Sequence, residues 1–229
     1  MPRIRILLLL LLVCLNCFAN SAIVQSETVP EAKINKLVEE AWGDYRKSNF
    51  EKSLITSRIA LNYATAAKNN NLIAKSYKII AGNYNELSEF DKAIFFYKKG
   101  LFYAGKTNND SLKYSLHNNL GNIYCFEKKQ FNRGINYYKK SIAYSLKLNE
   151  MPQVYFTNVN IAWAYFDIGK FKEGYPFLKF VNSNKSKYGD ESTEIVVNML
   201  NGMYYSYHND YELANVFFLK AIQAGKNSD

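Results

Sequence analysis

An aromatic residue followed three positions later by a small one recurs five times along the chain, and this repetition constrains the fold more than any other feature. The pairs are Phe50 with Ser53, Phe90 with Ala93, Phe131 with Gly134, Phe171 with Gly174 and Tyr211 with Ala214, so the aromatics stand 40, 41, 40 and 40 residues apart. Upstream of the last four, a small residue precedes a second aromatic by three: Ala81 with Tyr84, Gly121 with Tyr124, Ala162 with Tyr165 and Gly202 with Tyr205. Downstream come a bulky and a small residue, as in Tyr97 with Gly100 and Phe218 with Ala221. Offsets of three, four and seven share one face of an α-helix. Each unit therefore reads as two amphipathic helices joined by a short polar turn, at Ser48-Asn49, Ser88-Glu89, Gly169-Lys170 and Asn209-Asp210. A period of this length that fills a chain implies stacked, mutually dependent units.

The spacing predicts helix pairs over Glu31 to Ala67, Leu72 to Lys106, Asp110 to Leu148, Pro152 to Asn184 and Asp190 to Lys226. Asp110 and Asp190 read as N-caps, and Pro152 suits a first helical turn. Pro176 falls where the second helix of the fourth unit should run, so it should kink that helix or delay its start. Small residues at Ala81, Gly121, Ala162 and Gly202 would let paired helices approach closely, with the following tyrosines filling the space one turn on. Phe131, in the aromatic slot between two central units, is expected to be a structural keystone.

These residues resemble the tetratricopeptide signature, most clearly in Tyr77, Ile80, Ala81 and Tyr84 with Phe90, Ala93 and Tyr97, and in Leu120, Gly121 and Tyr124 with Phe131. The period exceeds the family's usual one and is similar to the long-repeat branch found in exported sensory portions of bacterial histidine kinases and helix-turn-helix regulators. The resemblance implies an all-α fold, a right-handed superhelical solenoid of about five TPR-like helix pairs. It also implies a scaffold that binds a protein or peptide partner through a concave face lined by the first helix of each pair. Two departures stand out: the proline that often closes a family repeat is missing, and Asp44 occupies an aromatic position of the first copy, which reads as an atypical cap.

In that register the inward positions are Lys75, Lys78 and Gly82 in the second copy and Ser115, Asn118 and Asn122 in the third. The fourth offers Phe156, Val159, Trp163 and Phe166, and the fifth Val196, Met199 and Met203. The groove is expected to run from polar and basic to apolar. Partner-binding candidates are Lys75, Lys78, Asn118, Asn122, Phe156, Val159, Trp163, Phe166, Met199 and Met203, with Trp163 as the anchor. Because Tyr155, Ile161, Ala162, Tyr165 and Ile168 already form a core stripe on the same helix, the second stripe is either a binding surface or a contact within the stack. Lys78 with Asn119 loosely suggests the family's carboxylate clamp, but Gly82, Phe156 and Asn160 occupy its other positions and depart from it.

Arg3 and Arg5 precede an apolar run from Ile6 to Leu15 that is too short to span a bilayer and is followed by small polar residues, as in a secretory signal. The expected organisation is a signal over 1–21, a linker over 22–30, a repeat domain over 31–226 and a tail over 227–229. Cleavage fits after Ala19 or Ser21, and the residues before Cys17 match a lipobox poorly, so export without a lipid anchor at Cys17 and without a further membrane span is expected, to the periplasm or cell envelope. Removing the signal leaves Cys125 as the single cysteine, which excludes an intrachain disulfide. Cys125 lies between Tyr124 and Phe126, and reads as a small buried hydrophobe rather than a reactive thiol.

The formal charge of +9 falls to +7 when Arg3 and Arg5 leave, since 1–21 contain no acid. Pairs such as Lys98-Lys99, Lys128-Lys129 and Lys139-Lys140 recur at solvated helix positions, the pattern of a wet face rather than a nucleic-acid stripe. No catalytic constellation, metal-ligand spacing, P-loop or dinucleotide fingerprint appears, and His117 and His208 fall in different copies, so neither enzyme activity nor a cofactor is expected. Two readings remain: an exported adaptor, or the sensory portion of a signalling protein whose membrane and output parts lie elsewhere. The run Val216 to Leu219 is apolar on more than one face of the last helix, which a continuation or a homodimer through that helix would cover.

Overall fold

The computed structural model describes residues 29–227. The expected signal, its cleavage sites, Cys17 and most of the linker lie outside the described residues. Among those described, ten α-helices and no strand form five antiparallel pairs. They are α1 (Glu31–Arg46) with α2 (Phe50–Ala66), α3 (Asn70–Glu86) with α4 (Phe90–Ala104), α5 (Asp110–Asn122) with α6 (Phe131–Lys147), α7 (Met151–Asp167) with α8 (Phe171–Tyr188), and α9 (Glu191–Tyr207) with α10 (Tyr211–Asn227). The second helix of each pair packs on the first helix of the next, producing an all-α solenoid. No described helix is long and apolar enough to cross a membrane.

The turn inside each pair repeats as faithfully as the helices. Ser48, Ser88, Lys129, Gly169 and Asn209 all have positive φ, between 51° and 72°. This left-handed residue turns the next amide back onto the helix it leaves. The N–H groups of Asn49, Glu89, Lys170 and Asp210 thus donate to the carbonyls of Asp44, Tyr84, Tyr165 and Tyr205, at 2.8–3.0 Å. In the third pair the donor is Gln130 and the acceptor Tyr124, one residue further apart, at 2.7 Å. The additional residue is absorbed by a π-helical turn, Ile123–Glu127, that continues α5. The single 41-residue interval in the sequence is therefore one π-turn, the usual way an insertion enters an α-helix without breaking it.

Packing follows the small-to-large pattern with one correction. A Cβ on Gly121 would come within 2.5 Å of the Tyr138 ring, so only glycine lets α5 and α6 meet there. Tyr138 is completely buried, and its hydroxyl donates to Asn122 Oδ1 at 2.7 Å. Phe131, the expected keystone, is only half-buried at the rim of the core. It opens α6 at the turn, whereas the residue seven positions on points between the helices; Tyr97, Tyr138 and Leu178 hold that buried position in three consecutive pairs.

Helix starts show how side chains satisfy otherwise orphaned amides. Asp190 forms a reciprocal capping box with Thr193, each backbone N–H donating to the other side chain at 2.8 Å. The expected cap at Asp110 is corrected by one residue: Asn109 Oδ1 accepts from Leu112 N–H at 2.9 Å, and Asp110 instead pairs with Lys113. Asn69 caps α3 through the amides of Asn71 and Leu72, which moves that helix start ahead of Leu72. Pro176 does not delay α8, which begins at Phe171 and runs through the exposed proline.

Candidate binding groove

The first helices α1, α3 and α5 line a cavity of about 330 Å³, walled by Val38, Glu39, Trp42, Lys75, Lys78 and Tyr114 among others. Trp42 is the floor of its basic side. Its ring stacks on Tyr45 with centroids 5.1 Å apart, and the Tyr45 hydroxyl donates to Glu86 at 3.0 Å, tying α1 to α3. Burial, reinforced by the Glu86 carboxylate, pushes the Tyr45 hydroxyl pKa up to about 12, so it remains a donor at any physiological pH. Lys78 places its ammonium 5.0 Å from the centroid of Trp42.

That ammonium is short of compensation. Burial lowers the Lys78 pKa, Lys75 lowers it further, and Glu39 opposes both. A desolvated cation beside a like charge favours any arrangement that supplies an anion. The Trp42 face supplies part of the missing charge interaction, since a ring quadrupole attracts a cation. The cavity therefore combines an anion-seeking head group with aromatic walls at Trp42 and Tyr114.

Further along the stack the inward residues knit successive pairs together. Asn118 Oδ1 accepts from Thr157 at 3.4 Å, and Asn122 Oδ1, which accepts from Tyr138 of its own pair at 2.7 Å, also accepts from Asn160 of the next at 3.4 Å. Tyr114 donates to Gln153 across the same boundary. Val159 and Phe166 are only 4% and 2% exposed and belong to the core shared with Val197 and Leu200 of α9. The apolar inner stripe of α7 is thus not continuous: at these two positions it is a contact within the stack, because the fifth pair buries that side of the helix. Phe156, Trp163, Met199 and Met203 are half-buried, with Trp163 packed on Phe126 of the third pair at 5.2 Å between centroids.

The structure thus brings Lys75 and Lys78 to one cavity and distributes the other candidates along the inner layer. Trp42 and Glu39 were not among them. The signal was present, since Trp42 lies one repeat before Gly82, in the register of Asn122, Trp163 and Met203. Asp44, which made the first copy look degenerate, is nearly buried and ion-paired with Lys52 at 3.3 Å. Tyr45, one position on, supplies the missing ring against Gly82.

Two other groups are accounted for by packing. Burial pushes the Cys125 thiol up to about 12, far from the thiolate that chemistry would need. His117 is buried against Tyr137 and Tyr144, with Nδ1 2.7 Å from the Lys113 carbonyl.

The stack superposes on several solved structures at low sequence identity. With the crystal structure of BtubC (BKLC) from P. vanneervenii, the TM-score is 0.67 at 17% identity, over 90% of this chain and 92% of that one. With the putative kinesin light chain of nearly identical TPR-like repeats from Podosopora anserina, it is 0.65 at 13% identity, over 86% and 97%. The fold is of the tetratricopeptide-repeat type. A third TPR-type match is a Rap protein complexed with Competence and Sporulation Factor, with a TM-score of 0.63 at 14% identity, covering 86% of this chain and 64% of that one. No protein-family model matches the sequence, and neither does any curated protein.

Proposed function

We propose that this chain is an exported TPR-type scaffold that binds an acidic, extended segment of a protein or peptide partner along its inner groove. The observation that carries the reading is the Lys78 ammonium, desolvated beside Lys75 and poised over Trp42 in an open cavity. A carboxylate placed there would remove the like-charge cost, and aliphatic or aromatic side chains of the same segment would rest on Trp42 and Tyr114. Phe156, Trp163, Met199 and Met203 offer a more apolar continuation toward the fifth pair. The Rap protein crystallised in complex with Competence and Sporulation Factor, which shares the fold, lends general support to a protein or peptide partner.

The test is a charge-matched set of synthetic extended peptides, acidic, neutral and basic, titrated against wild type and Lys78→Met. Acidic peptides should bind preferentially, and Lys78→Met should weaken them at least tenfold while leaving thermal stability unchanged or raised. Equal binding of acidic and neutral peptides would sink the reading. The lowered lysine pKa also sets a sign. Binding needs the charged form, so affinity should fall as pH rises through a value below the ordinary lysine range. Stability moves the other way, since the unfolded chain holds the extra proton in that window and its loss relieves the folded state. Export is checked separately by the intact mass of protein recovered from the cell envelope, which should lack residues 1–21 or 1–19.

A further inference from the structure

The last helix breaks the register of the stack at one position. Eight residues after the opening aromatic, the second helices of the first four pairs carry Arg58, Lys98, Lys139 and Lys179, all exposed. The fifth carries Leu219, which is 56% exposed. Eleven residues after the aromatic stand Leu61, Leu101 and Ile142, each half-buried in the stack, whereas Ile222 is 55% exposed. A following pair of the ordinary kind would cover the Ile222 position. It would leave the Leu219 position in solvent, as it does in four copies. Leucine there fits a neighbour lying across the outer side of α10, which the repeat itself never supplies.

Glu212, Val216, Leu219, Ile222 and Lys226 follow spacings of four, three, three and four, so they form one stripe along α10. The stripe is symmetric about Leu219 in a particular sense. Laid antiparallel on itself, it sets Val216 against Ile222, Glu212 against Lys226, and Leu219 against Leu219. Laid parallel, it sets like charges against one another at both ends. We propose that two copies of the chain pair through α10 in a two-fold antiparallel contact centred on Leu219. A two-fold interface requires one surface to be complementary to itself, and this stripe satisfies that in both apolar contact and sign of charge. One 17-residue helix per subunit offers a small interface, so the dimer should form in the micromolar range.

Analytical ultracentrifugation of the full chain without its signal, over a concentration series, tests this directly. Wild type should self-associate, and Leu219→Lys, which installs the residue type of the other copies, should be monomeric with an unchanged melting temperature. Glu212→Lys and Lys226→Glu should each weaken the dimer several-fold, and the double exchange should restore it. Leu219→Cys should give a disulfide-linked dimer on mild oxidation, since Cys125 is buried. The proposal is overturned by a wild-type monomer at hundreds of micromolar, by a dimer that persists in Leu219→Lys, or by a double exchange that stays as weak as the single ones. A monomer that instead binds another protein's helix on this stripe would overturn it as well.

Discussion

The two tryptophans, Trp42 and Trp163, stand at equivalent register positions three pairs apart and serve different ends. Trp42 lies beneath the Lys78 ammonium at the wall of a cavity. Trp163 lies against Phe126 and the core joining the fourth and fifth pairs. The residue thirty-six positions after each, on the next pair, is Lys78 in one case and Met199 in the other. The repeat therefore fixes where an inward side chain stands, while its neighbours in the stack decide whether it lines a cavity or packs on another part of the chain. At the basic end the aromatic residue faces a cation at the wall of a cavity, the arrangement on which the proposed binding of an acidic segment rests. The apolar end is drawn partly into the stack.

The largest expected effect lies at the junction between these two ends. Tyr138→Ala would empty a completely buried site between Gly121 and Asn122, and should cost about 3 to 5 kcal/mol. Phe131→Ala, at the half-buried rim, should cost about 1 to 2 kcal/mol. Denaturant midpoints of the two variants measure the difference. Equal losses would mean that the rim position matters as much as the buried one, and that the junction is not where the stack is strongest.

A smaller effect separates the tryptophans themselves. Trp163→Ala should lower stability by about 2 kcal/mol, because its ring packs on the preceding pair and the following core. Trp42→Ala should cost roughly half as much, since one face of the ring opens on the cavity, yet it should weaken the binding of acidic peptides, while Lys75 and Lys78 keep their advantage over neutral ones. If Trp163→Ala instead left the melting temperature unchanged and removed peptide binding, the apolar end would be the principal site.

The helical architecture was legible because five copies report the same face. Aromatic and small residues at offsets of three survive in every pair, and pair boundaries read from them differ from the structure by only a few residues. The details that escaped are those that no single face records. The longer interval before Phe131 was visible, but that it would become a π-turn at Ile123–Glu127 depends on backbone hydrogen bonding, not on composition. Val159 and Phe166 have the same inward spacing as Phe156 and Trp163, and only the position of α9 distinguishes buried from accessible. Part of the positive charge and part of the exposed aromatic surface prove to be linked. Lys99 lies over the exposed Phe95 and Lys106 over the exposed Phe102, at 5.6 and 4.2 Å from the ring centroids, so these outer lysines serve surface rings. That i, i+4 spacing was present in the sequence as a pattern awaiting a partner.

The smallest predicted effect probes the junction without emptying it. His117 sits on α5 between Tyr137 and Tyr144 of α6, and its Nδ1 faces the Lys113 carbonyl, which can only accept; Nδ1 therefore carries the proton in the neutral ring. Burial lowers its pKa, the backbone contact opposes that, and Lys140 adds to the lowering. In the unfolded chain the imidazole gains its second proton near its ordinary value, whereas in the folded chain it does so only at lower pH. Between those values the unfolded state binds more protons, so stability falls as pH falls through that window and is flat above it. His117→Gln keeps a donor for the Lys113 carbonyl but cannot titrate, and should remove this slope, leaving the carboxylate-driven loss at still lower pH intact. Melting temperatures of both proteins measured from pH 7.5 down to 5 decide it. A slope that survives unchanged in His117→Gln would assign it to another group and leave His117 as packing alone.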